Sequence, residues 1–74
     1  MCVVVRLAGQ LLAGQEREQK LVLKKSITVQ EVTLLLGLDP DEIGLIIIDG
    51  VQSELEDMVP TQCRLSFFPP MSGG

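Results

Sequence analysis

Ile27-Thr28-Val29-Gln30-Glu31-Val32-Thr33-Leu34-Leu35-Leu36-Gly37 is the stretch of this 74-residue chain with a helical period, and its place between strand-like segments decides the fold class. Thr28 followed three residues later by Glu31 is a capping-box pattern, and Ile27 supplies the apolar residue just outside the cap. Val29, Val32, Leu35 and Leu36 form the expected apolar face, with Gln30, Glu31 and Thr33 turned to water. Gly37 is placed to end the helix. Its β-branched residues give it mediocre intrinsic propensity, so packing on a sheet must hold it.

Toward the N-terminus, Cys2 to Leu7 is Val-rich and reads as a strand, with Val3, Val5 and Leu7 on one face and Cys2, Val4 and Arg6 on the other. Ala8 to Gln19 carries Gly9 and Gly14 and becomes polar, which predicts a connection with a short turn around Leu11 and Leu12. Lys20 to Lys25 alternates again and predicts a half-solvated second strand paired with the first. Toward the C-terminus, Asp39, Pro40, Asp41 and Glu42 predict a tight polar turn capped by Asp39 or Asp41. The uninterrupted Leu45-Ile46-Ile47-Ile48 predicts a central strand, and Asp49-Gly50 a hairpin turn into Val51 and Gln52. From Ser53 to Gln62, Leu55, Met58 and Val59 are the residues available to cover a core, and Pro60 interrupts any regular element. Cys63 to Phe68 predicts the last strand, with Leu65 and Phe67 facing inward and Arg64, Ser66 and Phe68 outward. The resulting order, two strands, a helix and further strands, predicts an α+β domain with a helix across one face of its sheet.

Composition narrows the function classes. The chain is 46% hydrophobic, enough to fold, and too short for a second core with a substrate site. Six basic against ten acidic residues give a net charge of −4, which argues against nucleic acid or an anionic membrane as the main partner and favours a basic protein surface. Lys20, Lys24 and Lys25 read as a solvated strand edge. Cys2 and Cys63 do not form a CxxC pair, and the chain has no His, so a metal site has little basis; a disulfide joining the two ends of the chain stays open, and two ordinary thiols in a reducing cytoplasm are the simpler expectation. Asp39, Asp41, Glu42 and Asp49 lack the spacing of an EF-hand loop and are explained by turns. Cys63 has no His to activate it as a nucleophile. No basic region precedes the apolar start and no 18-residue apolar run exists, so neither export nor membrane spanning is expected.

The sequence closes on Phe67-Phe68-Pro69-Pro70-Met71-Ser72-Gly73-Gly74. Pro69 and Pro70 lack backbone N–H donors and fix their own φ, so they end a sheet ladder and project the chain as a stiff spacer. Gly73 and Gly74 give a side-chain-free end suited to a narrow tunnel. Extended, the segment from Pro69 to Gly74 reaches roughly 19 Å. This divides the chain into a body, residues 1–68, and a tail, residues 69–74.

That ending, on that order of elements, resembles the ThiS/MoaD-type β-grasp sulfur-carrier family, and the tail is most similar to that of the small subunit of molybdopterin synthase. The helix around Val29 to Leu36, the Leu38-Asp39-Pro40 turn and Ile48-Asp49-Gly50 also sit where this family places them. The resemblance implies a ubiquitin-like β-grasp: a mixed sheet of four to five strands with one main helix across one face. Two departures bear on the pathway. Val59-Pro60-Thr61-Gln62-Cys63 stands where the family often has an Asp-Gly-Asp turn, and the short first loop approaches the compact thiamine-pathway carrier.

The resemblance further implies a carrier rather than an enzyme. An E1-like adenylating enzyme of the MoeB/ThiF type would use ATP and Mg²⁺ to activate the Gly74 carboxylate, and a sulfur donor system would convert it to a thiocarboxylate. The large subunit of molybdopterin synthase would then receive the tail. In this reading Gly74 carries the sulfur, and Gly73, Ser72, Met71, Pro70 and Pro69 are recognised as the tail. Phe68, Arg64, Arg6, Val51 and Leu55 are the candidate docking residues, and no residue of the chain is catalytic or binds a metal. Two alternatives stay open: a carrier for thiamine thiazole synthesis or another thiolation pathway, and a ubiquitin-like modifier conjugated through Gly74.

Overall fold

The computed structural model describes residues 2–9 and 17–70. Val3–Leu7 forms β1 and Glu18–Leu21 forms β2, an antiparallel pair running from Val3 opposite Leu21 to Arg6 opposite Glu18. The second strand thus lies earlier than its alternation predicts and stops at Leu21. The reason is its partner: β1 begins at Val3, so residues beyond Leu21 have no ladder to join, and the chain bends away at Lys24 and Lys25. Leu23 still packs against the core from outside the strand.

Ile27–Thr28 forms β3, and Val29–Leu35 forms α1. The capping box is complete: the Glu31 N–H donates to Thr28 Oγ1, and the Thr28 N–H donates to Glu31 Oε1, each at 3.2 Å. The C-terminus closes as a Schellman motif, with the Leu38 N–H donating to the Thr33 carbonyl at 2.9 Å and the Gly37 N–H to the Leu34 carbonyl at 3.2 Å. Gly37 takes the positive φ of 74° that this motif requires. The buried helical face is corrected at two positions. Val29, Val32 and Thr33 are buried and Leu36 packs against the core, whereas Leu35 is exposed. Spacing explains it, because residues 29, 32, 33 and 36 follow the i, i+3, i+4, i+7 rule about one centre. Thr33 tolerates burial because its hydroxyl donates to the Gln30 carbonyl at 2.6 Å.

Pro40–Glu42 is a 3₁₀ turn whose cap is Asp39, its Oδ1 accepting from the Asp41 N–H at 2.9 Å. Leu45–Ile48 forms β4 and Val51–Ser53 forms β5, joined by Asp49 and Gly50, both at positive φ as a two-residue hairpin turn demands. Met58–Val59 forms β6, which pairs with β3 in a small separate ladder. Of the cover residues expected there, Val59 is fully buried and Leu55 packs against the core, while Met58 points to solvent.

Cys63–Phe68 forms β7, as its sequence predicts. The main sheet has the order β2-β1-β7-β4-β5. Strand β7 is parallel to β1 and antiparallel to β4, so the last strand holds the centre and β4 lies beside it, one place from where its apolar run puts it. Val3, Val5, Leu65, Phe67, Val29, Val32 and Val59 are fully buried between sheet and helix. This is the β-grasp arrangement: among the described residues, a mixed five-stranded sheet with α1 across one face. No helix among the described residues is long and apolar enough to cross a membrane.

Candidate functional site

Among the described residues α1 lies across one side of the sheet, and the other side is built from the outward positions of each strand. Register fixes its membership. Phe68 lies opposite Leu45, Ser66 opposite both Ile47 and Arg6, and Arg64 opposite Val4. Glu18 and Lys20 extend these rows across β2. Half-buried Leu45 and Ile47 join Phe68, which is 38% exposed, in an apolar strip, with half-buried Val4 beyond Ser66 and Arg64; exposed Arg6, Lys20 and Arg64, and Glu18 beside Arg6, lie around it. The unbroken apolar run of β4 therefore has a second cause: Leu45 and Ile47 face this open surface, not the core.

The expected docking residues fall in two groups. Phe68, Arg64 and Arg6 share the open face. Val51 lies opposite Ile48, which lies opposite core-facing Leu65, so Val51 belongs to the helix side despite being 67% exposed. Leu55 packs against the core on the loop that meets the helix N-terminus. These two residues do not join Phe68 in one surface.

At the edge of the open face the chain leaves the sheet. The Gly44 N–H donates to the Phe68 carbonyl at 2.8 Å, fixing the final residue of β7. Pro69 and Pro70 then rest against two glycines. A Cβ on Gly44 would lie 2.6 Å from the Pro70 nitrogen and 3.0 Å from the Pro69 carbonyl carbon, and one on Gly9 would lie 3.0 Å from Pro69 Cγ. Only glycine permits this approach at residue 44, because the opposing atoms are backbone and cannot swing aside. Gly9 also holds a φ of +60°. The root of the tail is thus cradled between the end of β1 and the start of β4. Met71, Ser72, Gly73 and Gly74 lie outside the described residues.

A cavity of about 340 Å³ opens beside this root, lined in part by Arg6, Arg17, Gly9, Ser66 and Phe68. Two guanidinium groups next to an aromatic ring suit a carboxylate brought by another chain. Arg6 remains available for it: its contact to Glu18 is a single 3.7 Å pair with both side chains more than half exposed, worth little in water. At the far end of the face, Asp49 Oδ1 accepts from the Arg64 N–H and the Asp49 N–H donates to the Arg64 carbonyl, both at 2.8 Å, so the hairpin tip is tied to β7.

The two cysteines differ. Cys63 is buried, and its thiol contacts the Pro60 carbonyl at 3.5 Å. Burial pushes its pKa up, and the Asp49 carboxylate adds to that, so the nucleophilic thiolate is disfavoured. Cys2 is half-buried. Strand alternation in the sequence put Phe68, Arg64 and Arg6 on the outward side, and the register places them there. It also put Val4 on the side of Arg6, but it did not place Leu45 and Ile47 there, and it missed the paired glycines, whose contacts appear only once three distant segments meet.

No protein-family model matches the chain, and no curated protein sequence does. Among solved structures, the crystal structure of SAMP1 from Haloferax volcanii matches with a TM-score of 0.70 over 100% of both chains, at 22% sequence identity. The likeness establishes the shared ubiquitin-like β-grasp fold.

Proposed function

We propose that this chain is a sulfur carrier whose Gly74 carboxylate is adenylated, converted to a thiocarboxylate and delivered to molybdopterin synthesis. The observation that carries the reading is the cradle: Gly9 and Gly44 hold Pro69 and Pro70 at the rim of the open face, so the chain leaves the last strand beside Phe68 with its root fixed. A docking surface and the carried group then approach a partner from the same side. The Phe-Phe-Pro-Pro and Gly-Gly sequence supports molybdopterin over thiazole as the destination.

The chemistry needs an activating partner because a carboxylate has no good leaving group. The Gly74 carboxylate attacks the α-phosphorus of ATP held with Mg²⁺ by an E1-like enzyme, and pyrophosphate departs. A sulfide-level sulfur nucleophile from the donor system then adds to the acyl-adenylate carbonyl, and AMP leaves with its electron pair. The chain's own residues bind and aim: Phe68 and its apolar neighbours dock, Arg6 and Arg64 meet partner carboxylates, and Gly73 passes a narrow channel. Membership of Pro69 to Gly74 in a separate tail is part of this proposal.

Intact mass spectrometry after incubation with an E1-like enzyme, ATP, Mg²⁺ and a sulfur source tests it. The expected result is exchange of one oxygen for sulfur, lost when Gly74 is removed, together with a stable complex with a molybdopterin synthase large subunit. An unchanged mass with an enzyme that thiolates its own carrier overturns the proposal. Attachment to lysines of other proteins would assign the modifier role instead.

A further inference from the structure

Charge is unevenly distributed along this chain. Residues 26–63 contain no Lys or Arg and eight carboxylates, while all six basic residues lie at Arg6, Arg17, Lys20, Lys24, Lys25 and Arg64. The fold turns this into two unlike surfaces. Arg6, Lys20 and Arg64, with Glu18 beside Arg6, border the apolar strip of the open sheet face, so basic groups outnumber carboxylates there. On the opposite side, α1 presents Glu31, Leu34 and Leu35 as an outward i, i+3, i+4 group, with Leu34 and Leu35 exposed by 62% and 64%.

Carboxylates flank this leucine pair at both ends of the helix. The turn bearing Asp39, Asp41 and Glu42 follows its C-terminus directly. At its N-terminus, the loop bearing Glu54, Glu56 and Asp57 accepts two helix N–H groups, from Val29 to the Asp57 carbonyl at 2.9 Å and from Gln30 to the Leu55 carbonyl at 3.0 Å. Such a surface fits an apolar strip with a basic border. The molecule carries one on its other side.

We infer that this chain associates head to tail with further copies of itself, the Leu34 and Leu35 face of one copy resting on the Phe68 and Ile47 face of the next. Because the two surfaces are different and lie on opposite sides of the sheet, the contact is heterologous, and assembly does not stop at a closed dimer. Both patches are small and each copy carries a net charge of −4, so the association is weak and reversible. Salt acts in two directions. Near 0.1 M, where the screening length is about 10 Å, net repulsion is damped while contact pairs survive; near 1 M, at about 3 Å, the pairs weaken too. Assembly covers Phe68, so it competes with any partner of the open face; that consequence alone rests on the proposed function.

Sedimentation velocity from micromolar to millimolar protein in about 0.1 M salt tests the inference. The expected result is a sedimentation coefficient that rises without a plateau at dimer. Leu34→Ser/Leu35→Ser and Arg6→Ser/Arg64→Ser alter exposed side chains only, and circular dichroism checks that both variants fold. Each variant alone should associate on the order of tenfold more weakly, while an equimolar mixture regains association through its two intact faces and stops at a one-to-one dimer. A wild-type chain that stays monomeric at millimolar concentration overturns the inference. So does a mixture no more associated than its components.

Discussion

At Gly44 the absence of a side chain is what lets the tail root lie where it does. Gly44→Ala would push a methyl into the Pro70 backbone, which must then move. We expect a loss of about 1–3 kcal/mol in a urea melt, the usual cost of overpacking, and a redirected tail that lowers kcat/KM for adenylation on the order of tenfold. Phe68 should behave in the opposite way. It is already partly in solvent, so Phe68→Ala should cost less than about 1.5 kcal/mol of stability yet weaken binding to the activating enzyme by about 2 kcal/mol or more, read by calorimetry. The cysteines allow a third test: at neutral pH, iodoacetamide should modify Cys2 before Cys63, with peptide mass mapping as the readout, because Cys63 is buried and its thiolate is disfavoured. Phe68 was legible in the sequence because alternation along one strand sets its direction. Gly44 was not, since nothing near residue 44 announces that a diproline from the far end of the chain will lie against it.

Elements were legible wherever their limits are set locally. The helix could be read at both ends because Thr28 and Glu31 satisfy each other and Gly37 supplies the positive φ within the same segment. Each end can be tested alone. Thr28→Ala removes the hydroxyl that accepts from Glu31 and should cost about 1 kcal/mol. Gly37→Ala meets nothing within 4 Å, so its cost, also about 1 kcal/mol, reports backbone strain without a clash. Chemical denaturation of both variants checks these values. Elements whose limits depend on a distant partner were misplaced or missed. Strand β2 is cut off at Leu21 by where β1 begins. Ile27–Thr28 becomes a strand only because Met58–Val59 lies beside it, and neither dipeptide carries a pattern of its own. Thr33 shows the same limit within a helix: its hydroxyl reads as solvent-facing until the local bond to the Gln30 carbonyl makes burial tolerable.

The whole molecule depends on its last strand. Strand β7 lies between β1 and β4, and it contributes Leu65 and Phe67, both fully buried, to the middle of the core. Without it, the β1–β2 hairpin and the β4–β5 hairpin share no ladder, and two isolated hairpins with one short helix lack the burial to offset their ordering entropy. The parallel β1–β7 pair also joins the two ends of the chain, a contact that forms only after a large loop closes. Sequence alone identified this strand and its inward face but placed β4 at the centre, because an apolar run reports burial of both faces without saying which neighbour or partner covers them. The consequence is a sharp dependence on length. A chain ending at Gln62 should be unfolded by circular dichroism and by the absence of slowly exchanging amides, although it keeps the complete helix with both caps. A chain ending at Pro70 retains every strand, the Gly44 hydrogen bond to Phe68 and the Gly9 and Gly44 contacts to the diproline, and should melt within a few degrees of the full chain while losing all activation. In that folded chain, hydrogen exchange should be slowest in β7 and faster in the edge strands β2 and β5, since only interior strands have both sides of their backbone paired. Folding of the 62-residue fragment, or equal protection of edge and centre, would refute this account of how the sheet is closed.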